Sequence, residues 1–248
     1  MTVSRETSRI RPPRAVRSPV SDPKSIAAEV RRLVEAALSP LNANLPDGFL
    51  DRIEKFAATL ALWGNRTNLT AHPDDPGEIA FHIIDSLTPL TLGDPAADSM
   101  KASFARASRI LDVGSGAGFP GLILASAASA QFTLAEARRK RASFLTASSV
   151  EMGLTNVTVE QRRLSPSALD ATFDIAISRA LGPPEDFYAI AAAALLNGGI
   201  AILYANPDQR IDARAARSSG LSGEHRLANS VRRGELEIGR TLVVFRKP

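Results

Sequence analysis

Ile110-Leu111-Asp112-Val113-Gly114-Ser115-Gly116-Ala117-Gly118-Phe119-Pro120-Gly121 is the segment on which the fold of this chain turns. A short apolar run passes directly into a glycine-rich turn, and an apolar helical pattern follows. Glycine lets a backbone bend sharply and approach a ligand closely. The helix after the turn presents free N–H groups and the positive end of its dipole, so the segment reads as a cradle for a nucleotide or a carboxylate. Asp112, Gly114, Gly116 and Gly118 are its candidate cofactor-binding residues. Glu136 closes the next apolar run, Phe132–Glu136, where a carboxylate accepts the two hydroxyls of a ribose.

Gly116, Gly118 and Gly121 formally satisfy G-x-G-x-x-G, so a dinucleotide enzyme competes for this turn. In that fingerprint the first glycine closes the strand, whereas here Gly114 does so and the spacing from it fails. An acid two residues before the first glycine instead fits the opening motif of S-adenosylmethionine-dependent methyltransferases. No Tyr-x-x-x-Lys pair is present for hydride transfer. The expected cofactor is therefore S-adenosylmethionine, with a nicotinamide-dependent oxidoreductase as the rival reading.

Downstream, short apolar runs alternate with helical patterns. Strands are expected at Arg109–Val113, Phe132–Glu136, Val157–Glu160, Phe173–Ser178, Gly199–Tyr204 and Thr241–Arg246. Helices are expected at Pro120–Ala130, Arg138–Gly153 and Pro184–Leu196. This alternation predicts an α/β, Rossmann-like fold: a mostly parallel twisted sheet with helices on both faces and an antiparallel edge strand. Upstream, apolar residues recur at helical spacing through Ile26–Leu38 and through Phe49–Trp63. Asp75-Pro76-Gly77-Glu78 has the cap, proline and acid of a helix start and opens a third helix through Leu87. The expected organisation is a disordered basic tail (1–24), a helical extension (25–92), a linker (93–107) and a cofactor-binding domain (108–248).

Composition narrows the chemistry. The 248 residues include no cysteine, which excludes a thiolate nucleophile and disulfides. The three histidines are widely spaced, so no metal site is expected. No apolar run approaches the roughly 20 residues that span a bilayer, and no secretory segment is visible; a cytoplasmic monomer is expected. The net charge of +4 is carried by the N-terminal residues 1–32, with eight basic against three acidic side chains, so the remainder is close to neutral. Local clusters, Arg138-Arg139-Lys140-Arg141, Arg162-Arg163 and Arg232-Arg233, then matter more than total charge. Arg138, Arg139, Lys140 and Arg141 stand at a helix start, where basic residues oppose the dipole, and are candidate RNA phosphate contacts.

The end of the fourth expected strand, Ile177-Ser178-Arg179, bears on the methyl acceptor. Arg179 lies where ligands bind in open α/β sheets and is a candidate catalytic residue. The Asn/Asp/Ser-Pro-Pro-aromatic turn typical of exocyclic-amine methylation is missing; Gly182-Pro183-Pro184 comes too late and Glu185 follows it. With that turn and cysteine both absent, a ring nitrogen that already carries a lone pair becomes the attractive nucleophile, guanine N7 being one such atom. It needs alignment and exclusion of water rather than a general base.

The chain resembles the glucose-inhibited division protein B family, the bacterial small-subunit ribosomal RNA guanine-N7 methyltransferases. The resemblance rests on Trp63-x-x-x-x-Asn68-Leu69-Thr70, His82-Ile83-Ile84-Asp85-Ser86, the glycine turn, Lys140-Arg141-x-x-Phe144-Leu145, Gly153-Leu154-x-Asn156-Val157 and Ser178-Arg179-Ala180. It implies a guanine of small-subunit (16S) ribosomal RNA, or the small ribosomal subunit, as partner. It also implies cofactor contacts at Gly114, Phe119, Leu164, Ser165 and Arg179, with Glu136 on the ribose, and substrate-side roles for His82 and Asp85. Ser165 replaces an acid common in the family, Phe81 a basic residue, and Gly64-Asn65 an Asn-Lys pair. A non-catalytic ribosome assembly factor that keeps the fold is the remaining alternative.

Overall fold

A computed structural model describes residues 22–41, 43–179 and 182–248, with the side chains of 65 and 66 left aside. Four helices precede the sheet: α1 (Pro23–Leu38), α2 (Phe49–Thr67), α3 (Pro76–Thr91) and α4 (Asp98–Arg106). Then follow β1 (Arg109–Val113), α5 (Gly121–Ala127), β2 (Gln131–Ala135), α6 (Arg139–Glu151), β3 (Val157–Glu160), β4 (Phe173–Arg179) and α7 (Pro184–Ala194). The chain ends with β5 (Leu195–Ala205), α8 (Ala213–Ser218), β6 (Ser222–Arg233) and β7 (Leu236–Arg246).

The strands form one sheet in the order β3-β2-β1-β4-β5-β7-β6. The first five pair in parallel, while β7 is antiparallel to both β5 and β6. The order reverses at β1, with β2 on one side and β4 on the other. That reversal opens a crevice at the carboxyl ends of the strands, where ligands bind in such sheets.

Alternation along the strands produces two cores. From β1, Ile110 packs with the α1–α3, α5 and α6 side, including Ile53, Phe56, Ile83, Leu122 and Phe144. Leu111 and Val113 face the other layer, with Phe187, Tyr188 and Ala191 of α7 and Ala216 of α8. A strand buried on both faces reads as a continuous apolar run, which is why β1, β4 and β5 are so legible. Asp75 caps α3 as expected, accepting from the N–H groups of Gly77 and Glu78 at 2.8 and 3.2 Å.

Three expectations are corrected. Residues 93–107, expected as a linker, form a 3-10 turn at Pro95–Ala97 and then α4. Asp94 caps that turn through the Ala96 N–H at 2.8 Å, and Met100 and Phe104, one helical turn apart, are buried. Next, β7 does pair antiparallel with β5, but the sheet's edge is β6, a strand absent from the expected set. Finally, of the stretch 1–24 expected to be disordered, residues 1–21 lie outside the described residues, while Pro23 and Lys24 already belong to α1. Proline suits that first helical position because its missing N–H would have no partner there.

Candidate cofactor cavity and active site

The glycine turn folds back onto β2, because the N–H groups of Gly114 and Ser115 both donate to the Ala135 carbonyl, at 2.9 and 3.1 Å. Gly114, Gly116 and Gly118 adopt φ of 77°, 55° and 86°, the left-handed region that side chains disfavour. Gly121 opens α5 against the strand: a Cβ there would lie 2.3 Å from Asp112 Oδ2 and 2.4 Å from Leu134 Cδ2. Its N–H donates to Asp112 Oδ2 at 3.1 Å. Asp112 therefore ties strand to helix, and its other oxygen, Oδ1, is buried without a partner. Burial pushes this carboxyl up to about 7, against the pull of the Gly121 hydrogen bond.

Glu136 is buried at the end of β2, where Oε2 accepts from the Gly116 N–H at 3.1 Å and Oε1 from the Arg138 N–H at 2.7 Å. It thus joins the turn to the start of α6. Next to it lies a cavity of about 550 Å³, lined among others by Val113, Gly114, Glu136, Leu164, Ala189 and Ile190. Its volume falls within the roughly 300–1,000 Å³ usual for small-molecule sites. A lining that combines the Glu136 carboxylate with apolar Leu164, Ala189 and Ile190 suits a nucleoside, whose sugar needs acceptors and whose base needs apolar contact. The left-handed glycines, the unpartnered Asp112 Oδ1 and this mixed polar and apolar lining all fit S-adenosylmethionine.

Of the sequence-predicted residues, Gly114, Glu136, Leu164, Arg138 and Arg141 line this cavity. Asp112, Gly116 and Gly118 shape the turn behind it. Ser165 is not among its walls, and its hydroxyl meets that of Ser167 at 3.0 Å. Arg138, Arg139 and Lys140 are exposed at the start of α6. Arg141 instead donates to the Asn68 carbonyl at 3.2 Å and so fastens α6 to the end of α2. Asn68 ends α2 with φ 47°, a left-handed cap that asparagine tolerates, and Leu69 turns into the core. Gly64 is set by packing, since a Cβ there would stand 2.1 Å from Pro73 Cβ. Asn156 is structural too: its Nδ2 donates to the carbonyls of Ala125, Ala128 and Ala130 at 3.0–3.1 Å.

Phe119, Arg179, His82 and Asp85 form a second group beside the turn. The Phe119 ring lies 5.2 Å from those of Phe56 and His82, and the Arg179 guanidinium sits over it at 5.0 Å. Arg179 Nη1 donates to Asp85 Oδ2 at 3.1 Å. Asp85, only 1% exposed, also receives Arg240 Nε on Oδ1 and Arg240 Nη2 on Oδ2, both at 3.0 Å. Burial, helped by the positive charge of Arg179, drives the His82 imidazole down to about 3, so it is neutral near pH 7. Its Nδ1 has no partner, and Nε2 lies 3.9 Å from Glu78. Ser178 donates to the Val113 carbonyl at 2.9 Å, locking β4 to β1. Buried Tyr204, whose hydroxyl burial raises well above its ordinary range, donates to the Ser86 carbonyl at 2.8 Å. Glu78 pairs with Arg233 at 2.7 Å.

Sequence reasoning missed the contribution of the β6–β7 hairpin through Arg240, and of α7 through Glu185, Asp186 and Ile190, while Arg233, read as part of a basic cluster, pairs with Glu78. No local pattern reports a contact across so much chain. Among the described residues, no cluster of three or more metal-ligating side chains is found, and no helix is long and apolar enough to cross a membrane.

A glycine turn at the carboxyl end of β1, an acid ending β2, and a seven-stranded sheet with its last strand inserted antiparallel define a methyltransferase of the Rossmann-like class. A tRNA (m1A58) methyltransferase from Aquifex aeolicus shares the fold at 14% identity and a TM-score of 0.50, over 67% of this chain and 68% of that one. The model of the rRNA small subunit methyltransferase G family matches residues 50–236, and the chain belongs to that family. Relatives named ribosomal RNA small subunit methyltransferase G include one from Ralstonia nicotianae, 33% identical over 74% of this chain and 82% of its own length. Another, from Wolinella succinogenes, is 37% identical over 58% of this chain and 69% of its own. The chain is thus an S-adenosylmethionine-dependent ribosomal RNA methyltransferase. The nicotinamide-dependent and assembly-factor alternatives are not favoured.

Proposed function

We propose that this chain transfers the methyl group of S-adenosylmethionine to N7 of a guanine in small-subunit ribosomal RNA, as a cytoplasmic, metal-independent monomer. The supporting observation is the make-up of the group around Arg179. Asp85 has both oxygens on guanidinium groups. His82, held down to about 3, is a weak proton acceptor at neutral pH. Such a site suits a nucleophile that has no proton to lose, and guanine N7 has none.

When bound, the cofactor supplies a methyl group on an electrophilic sulfonium. Gly114, Glu136 and Leu164 would hold its nucleoside part, with the Glu136 carboxylate on the ribose and Leu164 and Ile190 against the base. The glycine turn and the start of α5 would take the amino-acid end through backbone N–H groups. Asp112 fixes the angle between β1 and α5, and Phe119 carries the packing of the turn to Arg179 and His82. Arg179 would donate to an oxygen of the RNA beside the reacting nitrogen, leaving N7 free of donors so that its lone pair is available. His82, neutral and unpartnered at Nδ1, would line the base's entrance. Arg138, at the cavity, and Arg139 and Lys140, exposed beside it at the start of α6, would track phosphates; Arg141 would act through its hold on Asn68.

Methyl transfer from labelled S-adenosylmethionine to small subunits of a strain lacking the enzyme tests this reading, with nucleoside mass spectrometry of the product. Label recovered as 7-methylguanosine is the expected result. Label on another atom overturns the N7 assignment, and firm S-adenosylhomocysteine binding without transfer overturns catalysis on this substrate.

A further inference from the structure

Arg240 stands on β7 and crosses to α3, where it takes hold of Asp85 from a residue 155 positions away in the chain. It occupies both oxygens of that carboxylate, at 3.0 Å each, while Arg179 reaches only Oδ2, at 3.1 Å. The side chains of Arg179 and Arg240 are 13% and 15% exposed, and Asp85 is 1% exposed. One carboxylate is thus shared between two nearly buried cations, and the group keeps a formal charge of +1.

Among the described residues, no carboxylate other than Asp85 bonds to either guanidinium, and the Asp112 carboxyl, which feels the charge of Arg179, is pushed up by burial to about 7. His82 is neutral, Tyr204 is held protonated by burial and donates to Ser86, and the side chain that meets Arg240 Nη1 is the neutral amide of Asn206. Burying a second cation costs free energy that a single Asp–Arg pair would not incur, so stability alone does not explain it. A carboxylate left with one guanidinium closes on it as a two-pronged fork. Without Arg240, Asp85 would take Arg179 in that way, neutralise it and turn its donors inward.

We propose that Arg240 is a positioning residue. By holding both oxygens of Asp85 in a two-pronged grip, it fixes the carboxylate's orientation so that Arg179 makes a single contact, on Oδ2. The remaining Arg179 N–H groups and its charge stay available to an oxygen acceptor of the RNA, either guanine O6 or a phosphate oxygen. This inference rests on Arg179 facing the RNA, as proposed above. It also makes Asp85 a regulator of how strongly Arg179 is held, rather than a proton carrier.

The test uses the full chain with Arg240→Gln, Asp85→Asn, both together, Arg240→Lys and Arg179→Ala. Initial rates of methyl transfer to unmethylated small subunits, S-adenosylhomocysteine affinity and the thermal midpoint are measured for each. Arg240→Gln is expected to lose about tenfold in kcat/KM for the subunit, ~1.4 kcal/mol of transition-state stabilisation, with unchanged S-adenosylhomocysteine affinity. Adding Asp85→Asn to it is expected to restore most of that loss, because a neutral amide does not draw Arg179 into a fork. Arg240→Lys, which keeps a cation on Asp85, is expected to fall between Gln and wild type and serves if Arg240→Gln does not fold. Wild-type rates in Arg240→Gln, or a folded double variant no better than Arg240→Gln, would overturn the proposal. If Arg179→Ala alone leaves transfer unchanged, the role of Arg179 itself is what fails.

Discussion

Replacing His82 with phenylalanine should change how folding stability depends on pH, and the sign follows from two buried groups that oppose each other. The imidazole sits at about 3 in the folded chain against an ordinary 6.5. As pH falls below 6.5, the unfolded chain takes up a proton that the folded chain refuses, so stability is lost progressively towards 3. The Asp112 carboxyl sits at about 7 in the folded chain against an ordinary 3.8. As pH rises above 3.8 the unfolded chain releases a proton that the folded chain keeps, and stability is lost progressively up to 7. Between 3.8 and 6.5 the two slopes, each ~1.4 kcal/mol per pH unit, cancel.

His82→Phe keeps a ring between Phe81 and Phe119 but removes the titration. Relative to wild type, its stability should rise by about 2 kcal/mol on going from about pH 6 to about pH 4.5. Asp112→Asn should do the opposite, losing stability over the same interval by a similar amount. Urea unfolding followed by the fluorescence of Trp63, the chain's single tryptophan, reads both. The difference between each variant's curve and the wild-type curve reads the group that was removed together with its couplings. Parallel curves for His82→Phe and wild type would refute the claim that burial keeps this imidazole neutral.

Gly121→Ala places a Cβ 2.3 Å from Asp112 Oδ2, so overpacking should cost about 1–3 kcal/mol in urea unfolding; an unchanged midpoint would mean that α5 is not pinned to β1. Glu136→Ala frees the N–H groups of Gly116 and Arg138 and removes the acceptor at the polar end of the cavity. S-adenosylhomocysteine affinity should fall by about tenfold or more in calorimetry, each tenfold being ~1.4 kcal/mol. Arg179→Ala leaves Asp85 on both prongs of Arg240, so the fold should stand. Methyl transfer to the subunit should nevertheless fall by about 10²-fold, the scale on which a single directed donor acts.

The features legible in the sequence are those whose physics is local. β1 and the turn at Gly114–Gly118 announce themselves because an apolar run and left-handed glycines are properties of neighbouring residues. The Asp75 cap on α3 is legible for the same reason. The α4 helix was hidden by Pro95 and a run of small residues, with only Met100 and Phe104 marking its buried face. β6 was hidden because its buried apolar residues, Leu227 and Val231, lie four apart among charged and polar neighbours, a spacing that imitates a helix. At the site, the glycines, Glu136 and Arg179 were readable from their place at strand ends. The hold of Arg240 on Asp85 was not, because pairing across the whole domain leaves no trace in either segment alone.

That long-range pairing also orders the events of the protein's birth. Asp85 emerges early from a chain made N-terminus first, and its two-pronged partner arrives only with the final strand. Until β7 slots between β5 and β6, the Asp85 carboxylate lacks one of its two cations, and closing the 155 positions to Arg240 costs more chain entropy than closing the 94 to Arg179. A chain cut short before Arg240 would lose, with that side chain, Val243 and Phe245 from the core that backs Leu111 and Val113 of β1, so the hold on Asp85 and the support of the cradle depend on the same strand.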